Sequence, residues 1–194
     1  DQVAQLGIHH IDGKIVGDAS YFSDEYVPST WGWGDMGNYY GTGVSGLSVY
    51  DNTVTITIEA GPNNHDSTYI TCYDPYTTDL RIDYRVKAGK TKIDEAYIYG
   101  GPYDPYRLIK GRIPKGATEF NVKGAMHDPA YVTAFELETL LFKHGITTSS
   151  SASTVRMDRL HGVLDTAQRT EFYTHSSPSV SKIVYWTNLI SNNL

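Results

Sequence analysis

The sequence predicts an all-β domain, an antiparallel β-sandwich, from two kinds of observation. Segments with apolar residues at every second position recur along the chain, and turns rich in glycine, proline and asparagine separate them. The clearest segment, 54–59, places Val54, Ile56 and Ile58 on one face and polar residues on the other. This alternation is typical of a strand with one buried face, and a series of such strands favours a sandwich or barrel.

The other strands follow from the same pattern. Charged residues alternate with apolar ones over 80–87, a turn follows at Ala88-Gly89-Lys90, and 93–99 is predicted to run back beside it. Further strands are predicted at 108–113, 120–122 and 182–190. The longest apolar stretch, 131–142, is also predicted as a strand, because β-branched and aromatic residues are frequent in it and Asp128-Pro129 precedes it.

A run of serine and threonine at 147–154 predicts a linker. The sandwich would then occupy residues 1–146. The remaining residues, 155–194, are too few for a core of their own. We expect them to form a C-terminal β appendage that packs on the sandwich or on a partner subunit.

Aromatic residues in the predicted loops are the most informative feature for function. Residues 17–46 form a long aromatic-rich loop, and the sequence Tyr-Asp-Pro-Tyr occurs twice, at 73–76 and 103–106. Tyrosine and tryptophan rings stack on apolar faces of ligands, and nearby polar groups orient them. The predicted carbohydrate-binding residues are Trp31, Trp33, Asp35, Asn38, Tyr39, Tyr40, Tyr73, Tyr76, Tyr103 and Tyr106. The alternative is that these rings are structural and cover the core.

Two further kinds of site are weaker alternatives. Glu136 and Glu138 would share one face of a strand, as a pair of glycosidase carboxylates requires. Calcium prefers loop oxygens of the kind found at Asp12, Asp18, Asn64 and Asp66. No other cofactor is predicted, since the seven histidines and the single cysteine form no metal-binding motif.

Charge and hydropathy exclude two classes of partner. The formal net charge is −6, and Lys14 is the single basic residue among 1–78, so nucleic acid is not expected. No apolar run approaches the ~18 residues that a membrane-spanning helix needs.

Residues 47–144 resemble the jelly-roll carbohydrate-binding modules of secreted polysaccharide-degrading enzymes and phage tail proteins. The resemblance rests on the outward-charged strand at 80–87, the turn and strand at 112–122, and the closing strand at 135–145. It implies a jelly-roll sandwich that binds carbohydrate. The 48 residues after Ile146 have no counterpart in such modules and resemble instead the C-terminal part of a phage tailspike or fibre, whose chains trimerise.

The predicted function is therefore non-catalytic recognition of a polysaccharide or cell-surface glycan, within a larger extracellular or phage tail protein. This hypothesis implies host recognition, a location outside the cell or on the virion surface, and a homotrimer. One alternative is a polysaccharide-cleaving enzyme, a glycoside hydrolase or lyase that uses Glu136 and Glu138. The other is a structural trimerisation domain.

Overall fold

The structure is a computed structural model that describes residues 2–163 and 168–190. The chain divides into two compact units. One, the β unit, is Ser23–Pro129; the other, the terminal unit, combines Asp1–Phe22 with Ala130–Leu194. The chain leaves the terminal unit after Phe22 and returns to it at Ala130.

The described helices are α1 (Gln2–Gln5), α2 (Trp33–Met36), α3 (Pro129–Lys143), α4 (Val155–Leu160) and α5 (Val180–Ile190), with two 3-10 turns at Tyr39–Gly41 and Tyr50–Asn52. The described strands are β1 (His10–Ile11), β2 (Val16–Gly17), β3 (Thr53–Ala60), β4 (Thr68–Asp74), β5 (Arg81–Gly89), β6 (Glu95–Tyr99), β7 (Tyr106–Pro114), β8 (Phe120–Ala125), β9 (Thr147–Thr148) and β10 (Ser153–Thr154).

The β unit consists of two three-stranded sheets that share one core. The strand orders are β4-β3-β8 and β5-β7-β6. All neighbouring strands are antiparallel except β5 and β7, which are parallel. Along β3, β5, β6 and β7, alternate residues point inward, so that Ile56 and Ile58 join Ile109 and Ile113 in one core with at most 1 % of each residue exposed. Burying such a side chain stabilises the fold by about 1.5–3 kcal/mol.

Asn52 anchors the entry to β3 from a backbone conformation that side chains rarely adopt. Its φ is 51°, in the left-handed region, and the side chain is fully buried. The amide donates to the Gly43 carbonyl at 3.1 Å and accepts from the Val49 amide at 3.3 Å. Asparagine tolerates this conformation better than most residues because its short side chain bonds to nearby backbone.

Short parallel strand pairs hold the ends of the terminal unit together. β1 pairs with β9, and β2 pairs with β10. Gly17 lies directly against α3, since a Cβ at that position would come within 2.2 Å of the Ala130 carbonyl oxygen. The predicted linker at 147–154 thus contains two strands, and both are paired with the N-terminal segment.

The predicted fold class, an all-β jelly roll with a β appendage, is wrong. The structure mixes helices with small sheets. Residues 131–142 belong to helix α3, and 182–190 belong to α5. Asp followed by Pro also marks a helix start, and Gly145, with φ of 77°, follows the last turn of α3 as a terminating glycine does. Within residues 2–163 and 168–190, no helix is long and apolar enough to cross a bilayer.

Candidate functional site

The long aromatic loop of the β unit presents three rings to solvent. α2 carries Trp33, and the 3-10 turn after it carries Tyr39 and Tyr40. Trp33 is 54 % exposed and Tyr39 is 57 % exposed. The ring centroids of Tyr39 and Tyr40 lie 5.3 Å apart in an edge-to-face arrangement, which is a favoured geometry for aromatic pairs. The carboxylate of Asp35, also exposed, lies on the same helix.

Asn38 fixes this loop to the sheet. It is 4 % exposed, donates from its amide nitrogen to the Gly34 carbonyl at 2.7 Å, and accepts from the Ile98 backbone amide at 3.0 Å. The accepted bond satisfies an amide of the edge strand β6. Asn38 therefore lies inside the fold with both of its polar atoms bonded, where it positions the aromatic residues that follow it.

Tyr97 and Tyr99 of β6 complete the cluster, and the sequence prediction did not include them. Burial raises the pKa of Tyr40, and the neighbouring groups Asp35, Tyr97, Tyr39 and Tyr99 raise it further. Each of these four groups therefore lies near Tyr40. Alternation along 93–99 was the signal that could have found the two extra tyrosines, since it places them on the outward face of their strand. We call Asp35, Tyr39, Tyr40, Tyr97 and Tyr99 the aromatic cluster.

The aromatic cluster has the chemistry of a site for a cation. An exposed carboxylate attracts an ammonium group, and the faces of tyrosine rings attract cations within about 6 Å. The protein already contains one such contact, because the ammonium of Lys110 lies 4.7 Å from the ring centroid of Tyr99. A ligand that carries an amine beside apolar groups would fit this surface.

The other predicted tyrosines have mostly structural partners. The rings of Tyr73 and Tyr76 stack at 5.3 Å. Tyr103 packs against the buried ring of Tyr26 at 5.5 Å. The hydroxyl of Tyr106 donates to Asp83 at 3.0 Å. Trp31 is half-buried at the start of the loop. Whether any of these residues contacts a ligand stays a prediction.

A buried polar network lies behind the two Tyr-Asp-Pro-Tyr turns. His127 is 4 % exposed, and its Nε2 lies 2.8 Å from the Asp79 carboxylate. Arg107, 2 % exposed, donates to the Asp104 carbonyl at 2.5 Å. Burial lowers the pKa of Arg107, while Asp104, Tyr26 and Asp79 oppose that shift. The network joins the segments that follow the first and second turn.

We expect the Asp79–His127 pair to make folding stability depend on pH. Burial raises the pKa of Asp79, but the hydrogen bond and charge of His127 outweigh it, so the pKa is below the ordinary 3.8. A lowered pKa stabilises the folded state above the unfolded-state value, and this contribution is lost as pH falls through the folded-state pKa. As the pH is lowered from about 5 to 2, the melting temperature of Asp79→Asn should therefore fall less than that of the wild type. An equal fall in melting temperature with pH in the two proteins would contradict this expectation.

The carboxylate pair predicted as an alternative catalytic site does not form. Because Glu136 and Glu138 lie on helix α3, side chains two positions apart point in different directions. Glu138 accepts a hydrogen bond from Thr148 at 2.9 Å and lines a cavity of about 340 Å³ with Phe142 and Ile146.

The predicted calcium ligands have protein partners. Asp18 accepts from Ser20 and Arg169, and these bonds lower its pKa to about 2. Asp66 accepts from the Asn63 amide at 2.8 Å, and Asp12 accepts from Ser149 at 3.2 Å. In the described part of the chain, no three His, Cys, Asp or Glu side chains come together as metal ligands would. Calcium at these residues and at Asn64 stays a prediction.

Comparison with known proteins gives a family model and two solved structures. The model of the D-Ala-D-Ala carboxypeptidase 3 (S13) family matches residues 1–194. Penicillin binding protein 4 (dacB) from Haemophilus influenzae is similar in structure, with a TM-score of 0.61 and 17 % identity over 80 % of this chain and 34 % of that one. A structure of the same protein with a β-lactam has a TM-score of 0.44 and 12 % identity, covering 56 % and 25 %. No curated protein sequence matches the chain.

These matches overturn most of the functional prediction. The family model covers the whole chain and describes a peptidase, so the jelly-roll carbohydrate-binding module is the wrong family. The predicted function, glycan recognition in a phage tail protein, is wrong. The alternative enzyme, a glycoside hydrolase or lyase, is wrong as well. The predicted partners, a glycan and a homotrimer, are also wrong. The virion surface is wrong as the location. The alternating apolar residues that predicted a sugar-binding sandwich lie in the β unit of a protein from a different family.

Proposed function

This chain belongs to the D-Ala-D-Ala carboxypeptidase 3 (S13) family, and from that premise we propose that it is part of a serine peptidase that removes the terminal D-alanine of peptidoglycan peptides. The observation that carries the proposal is the match of the family model to residues 1–194. The chain spans about a third of the length of the Haemophilus protein, 34 %. The proposed activity is therefore that of the full-length enzyme.

The site of action follows from the substrate. Peptidoglycan lies outside the cytoplasm, and the predicted extracellular location holds in that coarse form. The finer assignment, to the periplasm or the wall itself, is part of the proposal.

Two sequence motifs relate the chain to the chemistry of penicillin-binding proteins. Those proteins carry a serine nucleophile in an S-x-x-K motif, together with S-D-N and K-T-G motifs. In this sequence, S-x-x-K occurs at Ser179 and Lys182, and an S-x-N occurs at Ser191 and Asn193. The second pair lies outside the described residues. Lys182 lies in the first turn of helix α5, Val180–Ile190, and the S-x-N follows that helix in the sequence.

The length of α5 argues that only one of these motifs belongs to the active site. The eleven residues of α5 rise about 16 Å, so Ser179, which precedes the helix, lies far from its C-terminal end. A nucleophilic serine needs a base within hydrogen-bond reach. The Ser179 hydroxyl instead lies 3.0 Å from that of Ser181. We assign Ser191 and Asn193 to the active site, and the nucleophile to a part of the enzyme beyond these 194 residues.

The activity itself is the first test. Incubation of the full-length enzyme with a soluble peptide ending in D-Ala-D-Ala should release one D-alanine per peptide, and a fluorescent penicillin should label the enzyme covalently. Addition of unlabelled penicillin beforehand should block both signals. Release of sugar from peptidoglycan without release of D-alanine would contradict the proposal.

The aromatic cluster supports a second part of the proposal, that the β unit contacts the peptide of the substrate. Asp35 would bind an amine of the peptide, and Tyr39 and Tyr40 would cover the apolar atoms beside it. A carboxylate and ring faces at an exposed site contribute about 0.5–1 kcal/mol each. This contribution would act on substrate binding and not on the acylation of a small β-lactam.

We expect Asp35→Asn to raise KM roughly two- to fivefold for a D-Ala-D-Ala peptide with a free side-chain amine. The same peptide with that amine acetylated should show the higher KM with both enzymes. Asp51→Asn, at another exposed aspartate of the β unit, is the matched control and should leave KM unchanged. Equal KM values for the wild type and Asp35→Asn on the amine-bearing peptide would contradict this role.

A further inference from the structure

The outward face of the β5-β7-β6 sheet collects positive charge in a chain whose net charge is −6. Because strand residues alternate, the inward positions of this sheet form the core and the others face away from it. The outward residues are Arg81, Asp83, Arg85 and Lys87 on β5, Tyr106, Leu108, Lys110 and Arg112 on β7, and Glu95, Tyr97 and Tyr99 on β6. We call this surface the basic face, since five of its residues are basic and two are acidic.

Little of this positive charge is neutralised within the protein. Asp83 is engaged by the Arg85 guanidinium and by the Tyr106 hydroxyl. In the described part of the chain, the head groups of Arg81, Lys87 and Arg112 have no carboxylate within ion-pair distance. All three side chains are exposed. Arg81 and Lys87 are therefore available to a ligand, while Lys110 lies over the Tyr99 ring and Arg112 lies opposite Glu95 in the strand register.

The strand register places like charges directly opposite each other. Arg85 lies opposite Lys110, and Lys87 lies opposite Arg112, in two consecutive outward rows. Neighbouring strands are about 4.8 Å apart, and like charges in such cross-strand pairs destabilise a sheet. An anion bound across the two rows would remove that repulsion. A surface that binds anions is expected to have such unpaired repulsion in the absence of its ligand.

The basic face is continuous with the aromatic cluster. Tyr97 lies opposite Lys110 in the register, and Tyr99 lies opposite Leu108. Both tyrosines are near Tyr40. A polymer that lies along the face would thus lead to the cluster where the proposed substrate peptide binds.

We propose that the basic face holds the carboxylate-bearing peptides of peptidoglycan, and so keeps the enzyme on the polymer between cleavage events. This inference rests on the proposed function. The face favours carboxylate-bearing peptides over a phosphate polymer because Glu95 stands among its cations and tyrosines flank them. A chain of mixed charge with apolar groups complements such a surface, whereas a uniform polyanion would meet the acidic residue.

The test is sedimentation of the full-length enzyme with insoluble peptidoglycan from which phosphate polymers have been removed by acid. We expect at least tenfold weaker binding for the double variant Lys87→Glu, Lys110→Glu. Wild-type binding should weaken as salt is raised from about 0.05 to 0.5 M, because the electrostatic screening length then falls from ~14 to ~4 Å. Both lysines are exposed, and unchanged thermal unfolding should show that the variant is folded.

The matched control is Lys123→Glu, Lys143→Glu, which changes the net charge equally at exposed lysines of β8 and α3. It should bind as the wild type does. Equal binding by the two double variants would overturn the inference, and so would wild-type binding that requires the phosphate polymers. Release of D-alanine from a short soluble peptide without a side-chain amine should be the same in all three proteins. If the wild type releases no D-alanine, the proposed function is overturned instead.

Discussion

Replacing Ser191 by alanine in the full-length enzyme is expected to slow covalent labelling by penicillin by a hundredfold or more, without a change in thermal stability. A positioned hydroxyl that takes part in proton transfer typically contributes about 10²–10⁴ in rate. The expectation rests on the S-x-N motif that the sequence places directly after α5. Stopped-flow or gel-based labelling with a fluorescent penicillin measures the acylation rate directly, and the pH profile of that rate should lose one limb.

Ser179→Ala is the matched control for this experiment. Ser179 is exposed and belongs to the S-x-x-K at the other end of the same helix. Its alanine variant should be labelled at the wild-type rate, because the nucleophile is assigned to another part of the enzyme. Loss of labelling in Ser179→Ala with normal labelling in Ser191→Ala would reverse the assignment, and Ser179 would then be the nucleophile.

The second large effect is expected for Gly37→Ala, which should detach the aromatic loop from the sheet. A Cβ at Gly37 would come within 2.2 Å of the Ile98 carbonyl oxygen and within 3.0 Å of the Gly100 amide nitrogen. These are backbone atoms, so no side chain can rotate to make room. Either the loop or β6 must move, and the bond from the Ile98 amide to Asn38 would break. Overpacking of this kind costs about 1–3 kcal/mol, and an unsatisfied buried amide adds about 1–3 kcal/mol.

Gly34→Ala provides the control on the same short helix. A Cβ at Gly34 meets no atom within 4 Å, so this variant should keep the wild-type melting temperature. For Gly37→Ala we expect a clearly lower melting temperature and the same rise in KM as Asp35→Asn, since the cluster would lose its support. A melting temperature equal to that of Gly34→Ala would show that the loop does not depend on this close approach.

Some elements could be predicted from the sequence because their pattern is local. Alternation in 54–59, 80–87, 93–99 and 108–113 marks strands, and the structure confirms strands there. The strand β4 was missed, because 68–74 has no clean alternation and contains a register shift opposite Thr57 and Ile58. The aromatic loop that contains Trp33, Tyr39 and Tyr40 is visible in the sequence without any tertiary information, but whether these rings are exposed or buried is not.

The helix α3 shows why periodicity alone was not enough. Its apolar residues fit a strand on one reading and a helix on another, and short apolar runs do not decide between them. In the structure, Tyr131 and Phe135 stack at 6.2 Å across one helical turn, while Val132 and Leu141 are buried. Packing within the terminal unit favours the helix, on which Glu136 and Glu138 no longer share one face.

The sequence by itself determined which faces of the strands are apolar, where the aromatic loop lies and how the charge is spread, because each depends on neighbouring residues. The tertiary structure decided that Asn38 is buried, that Tyr97 and Tyr99 join Tyr40, and that cations of β5 and β7 stand opposite each other. These relations join residues about 25 to 60 positions apart. Only the pairing of strands brings such residues together, and no local pattern encodes which strands pair.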